Sequence, residues 1–244
     1  QASGINNFLG HGSDAGDLDW LGYDDGGRAL PDILKDENNR NQLTQNAYLD
    51  ARNPKADNND LRQLMNQSSR ELSNVFTPTQ KNTPVNHGFT FSLGDNKRVF
   101  GNTLGYSFGV NYSREFLHYD NGVVNTYVTS DPQTLFGYQK LRESKSVETP
   151  HLGGLFNLSY KLGNNHGLTF NLIYNNDAEI IGRTQEGSFA GQVSTPGATF
   201  LTNSMEFIRR QYTSYQLSGR HVMPEFGGVE IDWSGSINNS SQQE

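Results

Sequence analysis

The 244-residue sequence contains no cysteine. That excludes a disulfide framework and any thiolate-ligated metal. Charged residues are also scarce, at 18%, and hydrophobic residues reach only 33%, with a mean hydropathy of −0.70. Uninterrupted apolar runs last only a few residues. A membrane-spanning helix needs about 20, so a helical membrane protein is excluded. A spanning strand needs only about 9–11 residues, and half of them are polar in a barrel. Low hydropathy therefore leaves a β-barrel open. Lys and Arg number 19 against 26 Asp and Glu, a formal net charge of −7, which argues against nucleic acid as a partner. Aromatic residues are plentiful: 14 Phe, 11 Tyr and 2 Trp. Disordered chains are poor in such side chains. The sequence begins at Gln1, with neither an initiating Met nor a signal peptide, and stops at Glu244 in a polar stretch. We read it as a processed or truncated chain.

Length allows one or two domains. Residues 1–84 are rich in Asn, Asp and Gly and show little two-residue alternation. They read as an irregular extracellular or plug-junction segment carrying one short helix over 58–75. Asp57 or Asn58 is placed to cap that helix. Leu61, Leu64, Met65, Ser68 and Leu72 follow helical spacing. From residue 85 the apolar period switches to two. Phe89, Phe91 and Leu93 alternate with Thr90 and Ser92. Leu104, Tyr106, Phe108, Val110 and Tyr112 alternate with small polar residues, as do Leu152, Phe156, Leu158 and Tyr160, with Leu155 off the pattern here and Ile173 in the next segment. Leu168, Phe170, Leu172 and Tyr174 follow the same rule. So do Tyr215, Leu217, Gly219 and His221, and then Val229, Ile231, Trp233 and Ile237. Side chains alternate across a strand, so each of these six segments has one apolar and one polar face.

A soluble β-sandwich would alternate too. The connections discriminate. Short turns fall at 95–102, 163–167 and 224–228, with long polar connections at 115–150 and 177–204 between them. Outer-membrane barrels alternate short periplasmic turns with long outer loops. The polar faces are mostly Ser, Thr, Asn and Gly, which suits a hydrated lumen. The apolar faces carry rings near strand ends, as aromatic girdles do. The expected fold is therefore all-β: a transmembrane antiparallel β-barrel, present in part, with residues 85–244 supplying about six strands. Six strands cannot enclose an open lumen, and free edges in lipid are costly, so further strands are expected. The lipid-facing set is Tyr106, Phe108, Val110 and Tyr112; Phe156, Leu158 and Tyr160; Phe170, Leu172 and Tyr174; then Leu217, Ile231 and Trp233. The first strand runs toward a short turn, which places residues 1–84 at the outer face.

The stretch Asp19-Trp20-Leu21-Gly22-Tyr23-Asp24-Asp25-Gly26, followed by Arg28-Ala29-Leu30-Pro31, resembles a motif of TonB-dependent receptors in one large Gram-negative lineage. There it lies just upstream of a strand like 84–94 and a second like 104–112. The run 215–221 with 229–233 is similar to the same barrel. The resemblance implies a 22-stranded barrel with an N-terminal plug, in the Gram-negative outer membrane. It implies import of a scarce nutrient (a siderophore, cobalamin-like cofactor, oligosaccharide or peptide) driven by the TonB–ExbB–ExbD complex. The expected partners are outer-membrane lipid, that complex through a plug, and the ligand, with a surface lipoprotein left open. No plug with a TonB-contacting segment is recognisable in the sequence, nor a final strand ending in an aromatic. Import is therefore implied for the parent protein.

Asp14, Asp17, Asp19, Asp24 and Asp25 offer oxygens to calcium. Their spacing does not match an EF-hand, and a capped turn with Arg28 pairing nearby is the simpler reading. Gly26-Gly27 lacks the Gly-Lys-Ser/Thr of a phosphate loop. Acceptor triplets at Asn66, Asn111 and Asn157 are expected by chance in an Asn-rich chain. The six histidines show no i, i+4 pair, no metal or cofactor is expected, and no Ser/His/Asp set is recognisable. His221 reads as interfacial. The connection aromatics Tyr119, Tyr127, Phe136, Tyr138 and Phe189 either stack on a ligand or pack against one another. A non-enzymatic receptor is the expected function. The alternatives are a passive porin or structural barrel, a soluble sandwich module, and more distantly an outer-membrane hydrolase.

Overall fold

The computed structural model describes residues 4–11, 16–44, 53, 58–72, 77–131, 133–190 and 198–244. A two-stranded sheet pairs β1 (Phe8–Gly10) with β2 (Thr79–Lys81). A six-stranded antiparallel sheet follows in strict sequence order: β3 (His87–Val99), β4 (Asn102–Asp131), β5 (Thr134–Leu162), β6 (His166–Phe189), β7 (Phe200–Met223) and β8 (Val229–Gln243). The chain is mostly antiparallel β, as its alternation predicts. β3 and β8 are the two edges of the sheet.

Three tight turns lie at one end. Phe100 and Gly101 alone join β3 to β4, both at positive φ (50° and 78°). That geometry matches the twist of a two-residue hairpin. Gly163 (φ 60°) opens the next turn. A 3-10 turn, Pro224–Phe226, with Gly227 and Gly228 at positive φ, closes the last. The opposite end departs from expectation. Most of the stretches read as long polar connections are themselves strand. β4 and β5 stay paired to Asp131↔Thr134, with register shifts after Tyr119, Thr126 and Thr129. β6 and β7 stay paired to Gly187↔Phe200. These extensions mix charged and polar residues with apolar ones on both faces, as at Phe116–Leu117 and Ile180–Ile181, so the hydrophobic period vanishes while backbone pairing continues. A 30-residue strand reaches about 100 Å at about 3.3 Å per residue. β4 is therefore about three times longer than the 9–11 residues a membrane-spanning strand needs.

The register shows why the two faces differ. One continuous row across all six strands reads Leu93, Phe108, Phe156, Leu172, Tyr215, Ile237. The adjacent row, on the other face, reads Gly94, Ser107, Asn157, Asn171, Gln216, Ser236. The next row on that face is Asn96, Gly105, Ser159, Thr169, Ser218, Ser234. The apolar rows run from Leu104 to Tyr112 on β4. Most of this band stays uncovered: Phe108 is 39% exposed, Trp233 40% and Leu217 46%.

The N-terminal segment lies on the half of the sheet remote from the tight turns. Its helices are short: α1 (Asp32–Lys35), α2 (Glu37–Gln42) and α3 (Asn59–Glu71). Asp36 caps α2 by accepting the Asn38 amide at 2.8 Å. α3 falls where periodicity places a helix, and Leu61, Leu64, Met65 and Ser68 form its less exposed side. Asn58 occupies the cap position without a side-chain capping bond to the helix. Asp57 lies outside the described residues.

Candidate functional site

Residues 16–28 form a compact turn docked on the sheet. Asp19–Leu21 make one 3-10 turn that ends at Gly22, whose φ is 75°. A Cβ there would lie 3.0 Å from both the Ala178 methyl and the Asn176 amide nitrogen, so glycine allows both the left-handed backbone and the close approach. The Asn176 Nδ2 donates to the carbonyls of Leu21 (2.9 Å) and Gly22 (3.3 Å). The Tyr112 hydroxyl donates to the Trp20 carbonyl at 2.8 Å. The hydroxyls of Tyr23 and Tyr174 are hydrogen-bonded to each other. Arg209 stacks over the Tyr23 ring at 4.2 Å.

Three carboxylates of the acidic cluster, Asp19, Asp24 and Asp25, are engaged within this turn. Arg28 bridges Asp19 and Asp24 and lies over the Phe207 ring at 4.4 Å. Asp25 accepts the amides of Gly27 (3.0 Å) and Asp17 (3.1 Å), which hold its carboxyl below the usual range. Asp14 lies outside the described residues. The motif residues thus build a docking turn, and Leu30 and Pro31 lead out of it into α1.

Further from the tight turns, β1 and β2 seal the same face. Phe8 is fully buried and meets Phe116 edge-to-face at 5.6 Å. Glu148, 1% exposed, is paired by Arg114 (Nε, 2.8 Å) and by Lys81 of β2 (3.5 Å). His118 sits between Ser146 Oγ (2.8 Å) and Asp120 (3.1 Å). Serine, imidazole and carboxylate in line have the parts of a hydrolase triad. Ser146 is fully buried, however, and its Oγ accepts the Leu9 amide at 2.8 Å. A hydroxyl roofed by β1 cannot reach a substrate, so this chain of bonds fastens the segment to the sheet.

The thirteen positions read as lipid-facing all fall on one face of the sheet. Eleven lie in the uncovered band or at its rim. Tyr112 and Tyr174 depart from that reading. Tyr112 is only 6% exposed, and both rings are engaged by the docked turn, because they top the band where the motif lies. At the tight-turn end, Trp233 Nε1 donates to His221 Nε2 at 3.0 Å, and His221 approaches His166 at 3.2 Å. No group of three His, Asp or Glu that could hold a metal occurs among the described residues.

The five connection aromatics do not form one surface. Tyr138 and Phe189 pack edge-to-face at 5.4 Å, and Phe189 meets Phe200 at 5.3 Å. Tyr127 and Phe136 are each 52% exposed. Tyr119 donates its hydroxyl to Glu143. Burial works to raise the Glu143 carboxyl, but bonds from Tyr119 and Gln185 (2.6 Å) and the nearby Arg183 outweigh it and hold the group low. Sequence reading missed Asn176, Arg209, Arg114, Glu148 and Ser146. Arg114, Glu148 and Arg209 did leave a signal, as charges at positions where the alternation calls for apolar residues.

No protein-family model, curated protein or solved structure matches this chain.

Proposed function

We propose that residues 85–244 form part of the wall of a β-barrel in a Gram-negative outer membrane. The parent protein is then a receptor that imports a scarce nutrient with energy from the TonB complex. The observation that carries the barrel reading is the register. A row of apolar side chains on all six strands backs onto a row that is entirely small or polar. Lipid on one side and water on the other favours that pairing. The apolar band spans nine residues of β4, close to the strand length a bilayer requires. Tight turns at one end and long hairpins at the other fit the same architecture. Two open edges would be costly in lipid, so the wall needs further strands on both sides.

Import is carried by the family resemblance, of which residues 19–31 are the most specific part, and the ligand class stays as broad as that resemblance makes it. Two measurements test the reading. The protein should partition with outer membranes and require detergent for extraction. Nutrient uptake should stop when TonB is deleted. Uptake indifferent to TonB would overturn the receptor and leave a passive pore.

A further inference from the structure

The docked turn and the apolar band occupy the same face of the sheet. Tyr112 continues the series Tyr106, Phe108 and Val110 on β4. Asn176 continues Phe170, Leu172 and Tyr174 on β6. No register shift interrupts the pairing of β5 with β6 or of β6 with β7. The shifts between β4 and β5 lie beyond Tyr119. Side-chain parity is therefore kept from the band to the docking site. If Phe108 and Phe156 face lipid, the turn at 19–21 lies outside the wall and not in its lumen.

Resting on the barrel reading, we infer that this turn is an external anchor which seats Trp20 at the lipid headgroup level. Trp20 meets Tyr112 edge-on at 5.9 Å and remains 45% exposed; its neighbour Leu18 is 42% exposed. Phe89 also packs on Tyr112, at 5.4 Å. These rings cap the band at its outer end. Trp233 caps it at the tight-turn end, in the row of Leu104, Tyr160, Leu168 and Gly219. Eight residues of β4 separate the two rows, about 27 Å along a strand, and about 20 Å in height at the usual barrel tilt. The chain's only two tryptophans thus bracket a layer close to a barrel's apolar band, where indole rings favour the headgroups. The turn is also fit for a poorly hydrated boundary. The carbonyls of Trp20, Leu21 and Gly22 are satisfied by Tyr112 and Asn176, so little bare backbone meets the membrane.

Nitroxide labels on single introduced cysteines test this in the protein reconstituted into phosphatidylcholine vesicles. W20C and W233C should show similar, shallow depths from their relative collisions with oxygen and a water-soluble nickel chelate. L18C should match W20C, and it leaves the Trp20–Tyr112 contact intact. F156C should favour oxygen and N157C the chelate. If F156C favours oxygen while W20C and L18C behave like N157C, the turn is luminal and the inference falls, with the barrel standing. If F156C favours the chelate, the barrel reading falls as well.

Discussion

Arg209 donates from Nε to Asn176 Oδ1 at 2.6 Å, which leaves the Asn176 amide nitrogen aimed at the carbonyls of Leu21 and Gly22. Asn176 is fully buried. One side chain thus joins β6, β7 and the docked turn. Asn176→Leu keeps the volume and strands a part-buried guanidinium donor and two carbonyls. Each such orphan costs about 1–3 kcal/mol. The expected result is faster proteolysis within residues 16–31 and a lower melting temperature, with the six-stranded sheet retained.

Arg28 is the second fastening. Its side chain is 4% exposed and pairs with Asp19 and Asp24, themselves 15% and 8% exposed. Arg28→Ala leaves two nearly buried carboxylates without their cation, a loss on the order of 3–5 kcal/mol. Arg28→Lys should recover only part of it, since an ammonium cannot present the two-pronged guanidinium fork. Thermal denaturation of the three forms should rank native, lysine, alanine. Equal melting temperatures would contradict the role assigned to Arg28.

Glu143 makes the far end of the hairpins sensitive to acid. Its carboxyl is held below the ordinary value of 4.5 by Tyr119, Gln185 and Arg183. A group depressed on folding contributes stability that is present above its unfolded value and disappears as pH falls through its folded one. Stability should thus be flat near neutrality and decline below about pH 4.5, and Glu143→Gln should remove part of that decline. The Tyr119 hydroxyl is raised by its bond to Glu143. Its contribution is present below the usual value of 10 and lost as pH climbs past it. Tyr119→Phe should remove that alkaline limb.

Faces of the wall should differ in their tolerance of charge. Phe156→Arg places a cation in the apolar row, at a cost of about 2–4 kcal/mol near a bilayer midplane. Asn157→Arg, one residue along, places the same cation among Ser107, Asn171 and Gln216 and should cost far less. Folding titrations into lipid vesicles measure the difference. Equal costs would contradict a two-solvent sheet.

The strands that carry the apolar band were legible because alternation is a direct record of two unlike faces. Phe108, Phe156 and Leu172 could be assigned to one side from the sequence, and their register then placed them in one row. The strand extensions were not legible. Residues such as Ser144, Lys145, Arg183 and Thr184 are polar whichever way they point, so their pairing leaves no period. The docked turn was visible only as a motif. Its chemistry depends on Tyr112, Asn176 and Arg209, which lie 92, 155 and 186 residues from Trp20, Leu21 and Tyr23. No local pattern reports contacts over such separations. Tyr112 and Tyr174 were assigned to lipid because parity gives the side of the sheet and says nothing about what covers it.

The central claim is that lipid covers one face of these hairpins and water the other. Single cysteines placed in turn from Gly154 to Tyr160 of β5, in outer membranes, test it through reaction with a water-soluble maleimide. Only a hydrated thiol ionises and reacts. Positions 155, 157 and 159 should label, and positions 154, 156, 158 and 160 should resist until detergent is added. Uniform labelling along the strand, or the opposite phase, would contradict the account.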